Sequence, residues 1–247
     1  MLRQVTGRDE ELLSRLTGER ALYYAALAGR LPAPYFDAFV QRRGEELTAA
    51  LFRVFGTWFA ELGERSDPEE LALFLDRSEK AEVTGKGIER LRLSGVRRVR
   101  KVPFLQFRGE GEHSPRVADC AELSRLREIY PLLTGEQLFA MPEFEEFYVT
   151  RMALCSGGLS RIRGIVEDGR VAACAQTLCE GERGAMLGMV VTHPDYRRRG
   201  LAGELLRSLC DELPGEIFLA AYSEGARRLY KKLGFVEIGE KTCLQFY

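Results

Sequence analysis

Apolar and polar positions alternate along the chain in short runs, and the order of the elements they predict occurs twice. Between residues 9 and 30 the apolar residues recur at helical spacing. Leu12, Leu13 and Leu16 mark a first segment, and Ala21, Leu22, Ala25, Ala26 and Leu27 mark a second that Gly29 ends. Leu31-Pro-Ala-Pro34 predicts a loop and Tyr35 to Val40 a short helix. Leu47 to Leu62 holds the strand formers Val54, Phe55, Trp58 and Phe59 and predicts two strands joined near Gly56, with Trp58 in the core. Asp67-Pro68 opens a helix to about Arg77, Asp67 as its cap and Pro68 at its first position. Lys80 to Thr84 is a short strand, Gly85-Lys-Gly87 a turn into a helix through Leu93, and Val96 to Phe107 a strand with a solvated basic face.

The second half repeats this order. Residues 109–116 are a linker by composition. A helix follows from Asp119 to Leu133, stopped near Pro131, and another from Pro142 to Leu154 with Phe144, Phe147, Tyr148 and Met152 on its apolar face. Arg161 to Glu167, Arg170 to Cys179 and Ala185 to Thr192 read as three strands, the first two joined by the hairpin dipeptide Asp168-Gly169. A helix runs from Leu201 to near Leu213, a strand from Glu216 to Ala221, and a helix from Glu224 to Leu233 that Ser223 caps and Gly234 stops. Phe235 to Tyr247 supplies one or two last strands. The class is α/β (α+β), with domains expected at 1–113 and 114–247.

Charge narrows the partners. The 247 residues hold 36 basic and 37 acidic side chains, a net charge of −1. Residues 1–116 carry 20 basic and 18 acidic side chains, and 117–247 carry 16 and 19, so neither half is polarised toward nucleic acid or an anionic membrane. The six cysteines form no Cys-x-x-Cys pair and there are two histidines, His113 and His193, a poor set for a metal site. Scattered cysteines of this kind suit buried positions in a reducing compartment. No apolar run approaches the ~20 residues a bilayer span needs, and Met1-Leu-Arg-Gln-Val-Thr-Gly7 has no apolar segment of the signal-peptide kind. The expectation is a cytoplasmic protein, monomer or homodimer.

Chemistry concentrates between Leu187 and Leu206. An apolar strand ends at His193-Pro194-Asp195, Arg197, Arg198 and Arg199 follow, then Gly200 and a helix marked by Leu201, Leu205, Leu206 and Leu209. The first amides of a helix have no partners inside it and lie at the positive end of its dipole. A glycine there lets a ligand approach the backbone, and arginines add full charge, so the stretch suits a pyrophosphate. The Gly-Lys-Ser/Thr of a nucleotide-hydrolysing loop and the first glycine of a Rossmann loop are both missing. Arg197-x-x-Gly200-x-Ala202 resembles the Arg/Gln-x-x-Gly-x-Gly/Ala signature of the GNAT acyltransferases. Ala226-Arg-Arg-Leu-Tyr230-Lys-Lys-Leu-Gly234-Phe235, about 30 residues on, resembles the Ala-x-x-Leu-Tyr-x-x-x-Gly-Phe block of the same family.

The resemblance covers roughly residues 117–247 and implies a mixed central sheet flanked by helices, with the N-terminal half a degenerate copy. It implies acetyl-CoA as cosubstrate, no metal, and a small-molecule amine or a peptide N-terminus as acceptor. Main-chain amides of Met189, Val190 and Val191 take the thioester carbonyl. Arg197, Arg198, Arg199, Gly200, Leu201, Ala202 and Gly203 hold the pyrophosphate, and Ser223 stands where the family often has a cofactor-contacting Asn. Tyr230 stands where the family has the acid for the departing thiolate; an ordinary Tyr, with a pKa of about 10, holds its proton where a thiol near 8.5 has lost it. No carboxylate lies on Leu187-Gly-Met-Val-Val191, so Glu180, Glu182, Glu224 and His193 are the candidate bases, or water carries the proton. Tyr130, Phe144, Phe147 and Tyr148 are candidates to line the acceptor cleft. A non-catalytic CoA-binding regulatory module is the competing reading.

Overall fold

The structure, a computed structural model, describes residues 1–5, 13, 16, 19–28, 30–31, 36–54, 56–135 and 141–246. They form two compact units, Met1–Val102 with Glu240–Tyr247, and Pro103–Gly239. The linker composition of residues 109–116 does not mark this division. Gly111 lies so close to Asp211 that a side chain there would collide with its backbone, Glu112 N–H donates to the Arg207 carbonyl, and Ser114 Oγ donates to Glu204.

In the first unit, β1 (Leu2–Gln4), β2 (Phe36–Arg43), β3 (Glu46–Val54) and β4 (Thr57–Leu62) pair antiparallel in sequence order. A helix, Pro68–Arg77, then crosses to β5 (Glu82–Lys86), which lies parallel to β4. An earlier helix, α1 (Glu19–Leu27), lies between β1 and β2, so Pro68–Arg77 is α2. The Asp67 carboxylate accepts from the Glu69 and Glu70 N–H groups, and Leu71 and Leu75 press on Trp58, Ala60 and Val83. Trp58 is buried, its indole N–H donating to the Glu79 carbonyl.

Two expectations fail here. Phe36–Val40 is strand, not helix: Phe36, Asp37, Ala38 and Val40 are all buried, and a strand covered on both faces loses the period-two signal. Tyr35 lies outside the described residues, as does most of the expected helix at 9–16. The expected helix through Leu93 is a single 3-10 turn, Ile88–Arg90, because Gly87 enters it left-handed at φ 77° and Leu91 is already extended.

In the second unit the strand order is β6 (Arg98–Phe107), β11 (Glu216–Ala220), β10 (Gly184–Thr192), β9 (Arg170–Gly181), β8 (Ile162–Glu167), β7 (Val117–Asp119). β10 and β11 are parallel; the other pairs recorded, β11 with β6 and β10 through β7, are antiparallel. Helices α5 (Leu201–Glu212) and α6 (Glu224–Lys232) build one apolar core with Ala173, Ala175, Ala185 and Leu187. Helices α3 (Leu123–Gly135) and α4 (Phe144–Ser156) build a second with Ile162, Cys174 and Val191. Alternate side chains of β9 therefore feed two cores.

The helix expected from Asp119 starts later, since Val117–Asp119 pairs with β8, and it passes through Pro131 instead of stopping there. Thr134 Oγ1 donates to the Tyr130 and Pro131 carbonyls in that turn. The buried stripe of α4 is Phe147, Thr150, Arg151 and Leu154, while Phe144, Tyr148 and Met152 are half-buried beside it. Phe235 to Gln245 is one strand, β12.

The two units follow one path: four antiparallel strands, a crossover helix, a parallel strand. It reads β1–β4, α2, β5 in the first and β7–β10, α5, β11 in the second. The strand that closes each is taken from the other half of the sequence. Residues 104–106 of β6 pair with β11, and residues 242–245 of β12 pair with β5.

Candidate active site

The site is built where the ladder between β10 and β11 stops. Pairing is recorded over Gly184–Met186 with Glu216–Phe218, and at that end Gly184 lies so close to Glu216 that a Cβ would fall 1.9 Å from its carbonyl oxygen. Past Met186 the two strands share no recorded pair, although β10 continues to Thr192. On its other edge β10 bulges. Gly188 faces Gln176 and Val191 faces Cys174, three steps against two, and Met189 takes φ 51°. A bulge turns main-chain groups out of the ladder, here at Met189 and Val190, before pairing resumes at Val191. Met189 and Val191 pack toward α3 and α4, Val190 toward α5 and α6.

The loop after β10 is held by its own side chains. His193 Nδ1 accepts from the Asp195 N–H and starts a 3-10 turn, Pro194–Tyr196, whose tyrosine is buried. Arg197 is extended, Arg198 takes φ 63° and Gly200 φ 81°, and α5 begins. The Gly203 and Glu204 N–H groups donate to the Gly200 carbonyl at 3.0 Å. Helix geometry then leaves Leu201 and Ala202 N–H without an acceptor inside α5, and Gly200 offers no side-chain cap. Left-handed residues on either side of Arg199 curve the backbone into a concavity suited to an anion. No atom lies within 4 Å of the place a Gly200 Cβ would take.

The three arginines are not equivalent. Arg197 Nε donates to the Thr192 carbonyl. Arg199 stacks 4.9 Å over the Tyr196 ring, donates to the Asp195 carbonyl and reaches Glu167. Arg198 is exposed and has no partner among the described residues. Glu204, whose charge in the first turn opposes an anion, is paired with Arg116 at 2.7 Å. Leu201 is buried in the core, and Gly203 backs onto Leu229 and Leu233.

Ser223 caps α6, its Oγ accepting from the Ala226 N–H at 3.2 Å. Tyr230 lies on α6, 6% exposed, in one core with Val190, Leu201 and Leu205. Its hydroxyl has no hydrogen-bond partner among the described residues, and burial raises the phenol above its ordinary pKa. Strand, loop and second helix thus meet, as the two sequence blocks require. The candidate bases do not join them. Glu180 is bound by Arg161 and Thr177, Glu224 lies beside Arg227, His193 caps its turn, and Glu182 is exposed on a hairpin. Sequence reasoning missed the bulge, which needs the register of two strands to see, and Arg116, 88 residues from its partner. Among the described residues no group of three or more His, Cys, Asp or Glu could hold a metal ion, and no helix is long and apolar enough to cross a membrane.

Residues 126–235 match the family model "Acetyltransferase (GNAT) family", a span that contains β10, the loop, α5 and α6. This region is a GNAT-family domain. Solved structures agree on the fold. A GNAT-family putative acetyltransferase from Novosphingobium aromaticivorans is 22% identical over 80% of this chain and 86% of its own, with a TM-score of 0.55. A GCN5-related N-acetyltransferase from Sphaerobacter thermophilus is 15% identical over 100% and 95%, TM-score 0.58. A GCN5-related N-acetyltransferase-like protein from Streptococcus suis is 16% identical over 96% and 97%, TM-score 0.58. No curated protein matches the sequence. Family and fold support an acyl-CoA-dependent N-acetyltransferase in general.

The N-terminal half is a second GNAT-like fold, and its geometry differs from that of the site in two places. Its parallel pair β4 and β5 is zipped over five positions, Thr57–Glu61 with Glu82–Lys86, and Gly85 lies against the Ala60 carbonyl where a Cβ would be 1.8 Å away. The start of α2, the counterpart of the GNAT loop, already carries an anion: the Asp67 carboxylate takes the Glu69 and Glu70 amides, with two further acids in the first turn. At these two places the strands stay paired and the helix start is capped.

Proposed function

We propose that the chain moves an acetyl group from acetyl-CoA to a primary amine, a small molecule or a peptide N-terminus, by direct attack. What carries this reading is the uncapped start of α5 beside the part of β10 that has left β11. Leu201 and Ala202 amides, with Arg197, Arg198 and Arg199, hold the pyrophosphate. The free edge of β10 past Met186 aligns the pantetheine arm, and main-chain N–H groups at the Met189–Val191 bulge donate to the thioester oxygen and stabilise the charge that grows on it. The amine nitrogen bonds to the carbonyl carbon, the carbon–sulfur bond breaks, and the amine's proton leaves to solvent. Tyr230 gives its proton to the departing thiolate and is reprotonated from water.

Thiol release from acetyl-CoA with a panel of amines tests the activity. Tyr230→Phe is expected to lower kcat about a hundredfold with acetyl-CoA affinity unchanged; full activity in that variant removes Tyr230 as the acid. A CoA-binding regulatory module is the second reading, favoured by the engagement of Glu180 with Arg161. It predicts tight CoA binding with no thiol release for any amine.

A further inference from the structure

One polar side chain in the second unit has no use in the reading above. Gln176 on β9 is 0% exposed, and neither its Oε1 nor its Nε2 has a hydrogen-bond partner. The Cys174 thiol beside it is a weak partner for an amide. Buried amides left unpaired are costly and call for an explanation. Its position supplies one. In the ladder Gln176 lies opposite Gly188, the last residue before the Met189 bulge. It also lies opposite Ile162, and cross-strand partners share a face, so the amide points to the α3–α4 side with Ile162 and Cys174. Met152 and Met189 belong to the same cluster, and such unbranched side chains re-pack at low cost to admit a ligand.

The outer part of that cluster is aromatic and rimmed by carboxylates. Tyr130 and Phe144 meet edge-on at 5.4 Å, and Tyr148 stacks on Phe144 at 6.2 Å; all three rings are half-buried. Exposed Glu143 and Glu145 flank them, with no cationic partner among the described residues. Glu145 favours the start of α4 through the helix dipole, but the Glu143 carboxylate caps nothing. The Tyr130 hydroxyl donates to the Pro142 carbonyl at 2.7 Å, which brings the start of α4 with Glu143 to this ring, and burial first, then the two charges, raise the phenol's pKa. Of the cations on the helices, Arg125 is paired with Glu122 and Glu128, Arg151 in the buried stripe of α4 has an interaction of its own, and Arg127 is exposed on α3 three residues before Tyr130, one cation against the two carboxylates.

We propose that the α3–α4 face is the acceptor subsite and takes an amine that carries a second positive charge. Gln176 Oε1 accepts from the reacting nitrogen, and the distal ammonium lies against the Tyr130, Phe144 and Tyr148 rings between Glu143 and Glu145. This rests on the acyltransferase reading for the identity of the near end, so the test reads binding apart from turnover. With CoA saturating the full-length protein, 1,5-diaminopentane, pentylamine and 5-aminopentanoate are titrated calorimetrically. The diamine is expected to bind at least tenfold tighter than pentylamine and the amino acid weakest. Glu143→Gln with Glu145→Gln levels the three. Gln176→Met is expected to weaken the diamine about tenfold while CoA affinity holds and the melting temperature stays or rises, since only the weak Cys174 thiol contact is lost. Equal binding of the three ligands, or a diamine preference that survives the double substitution, overturns the proposal. Diamine binding without thiol release overturns the acyltransferase reading and leaves the subsite standing.

Discussion

At the scale of the residue, the loop stores strain where it is meant to bind. Arg198 sits at φ 63°, a region costly for a side chain with a Cβ. Arg198→Ala and Arg198→Gly remove the same charge, but glycine also relieves the backbone. The glycine variant is expected to be more stable than the alanine variant by about 1 kcal/mol in urea unfolding, with CoA affinity weakened alike in both. Tyr230 makes a different claim. Burial raises its pKa, so below the ordinary value near 10 the phenol stays protonated and able to serve as an acid. The kcat profile is therefore expected to show no alkaline fall below about pH 9.5 from this group; a fall near pH 8 that vanishes in Tyr230→Phe contradicts the assignment. Both residues were legible in the sequence from their blocks, but the left-handed turn at Arg198 and the positive φ of Met189 were not. Neither is a glycine, and nothing local announces a positive φ at such residues.

At the scale of the element, α2 and α5 begin alike and end with opposite uses. Asp67 fills the start of α2 with its carboxylate, and Gly200 leaves the start of α5 open. One CoA per chain is expected by calorimetry; a stoichiometry of two contradicts the account of the N-terminal half. Asp67→Ala is expected to cost about 1 kcal/mol without creating a second site, because β4 and β5 remain zipped behind it. Asp67-Pro68 and Gly200-Leu201 could be read as helix starts because caps and glycines have local causes. The gap between β10 and β11 could not. It depends on where a ladder stops, and Leu187-Gly-Met-Val-Val191 looks like any buried strand. Phe36–Val40 was misread for the related reason that a strand buried on both faces carries no alternation.

At the scale of the whole molecule, sequence halves and folded units differ. A break at residue 113 separates β12 from β5 and β6 from β11, though each pair belongs to one compact unit. Fragments 1–113 and 114–247 are each expected to lack a cooperative unfolding transition alone and to regain one when expressed together. A fragment that melts cooperatively by itself contradicts the strand assignment. The shared path of strands and crossover was visible in the sequence as a repeated order of elements; the exchange of closing strands was not, because a strand's pattern says which face is buried and not which neighbour it joins.

The central claim is that main-chain amides at the start of α5 hold a diphosphate and aim a thioester along the edge of β10. A crystal structure with CoA bound tests it most directly. The account predicts pyrophosphate oxygens within hydrogen-bond distance of the Leu201 and Ala202 amides and the pantetheine arm between β10 and β11 past Met186. CoA bound elsewhere, with those amides untouched, contradicts it.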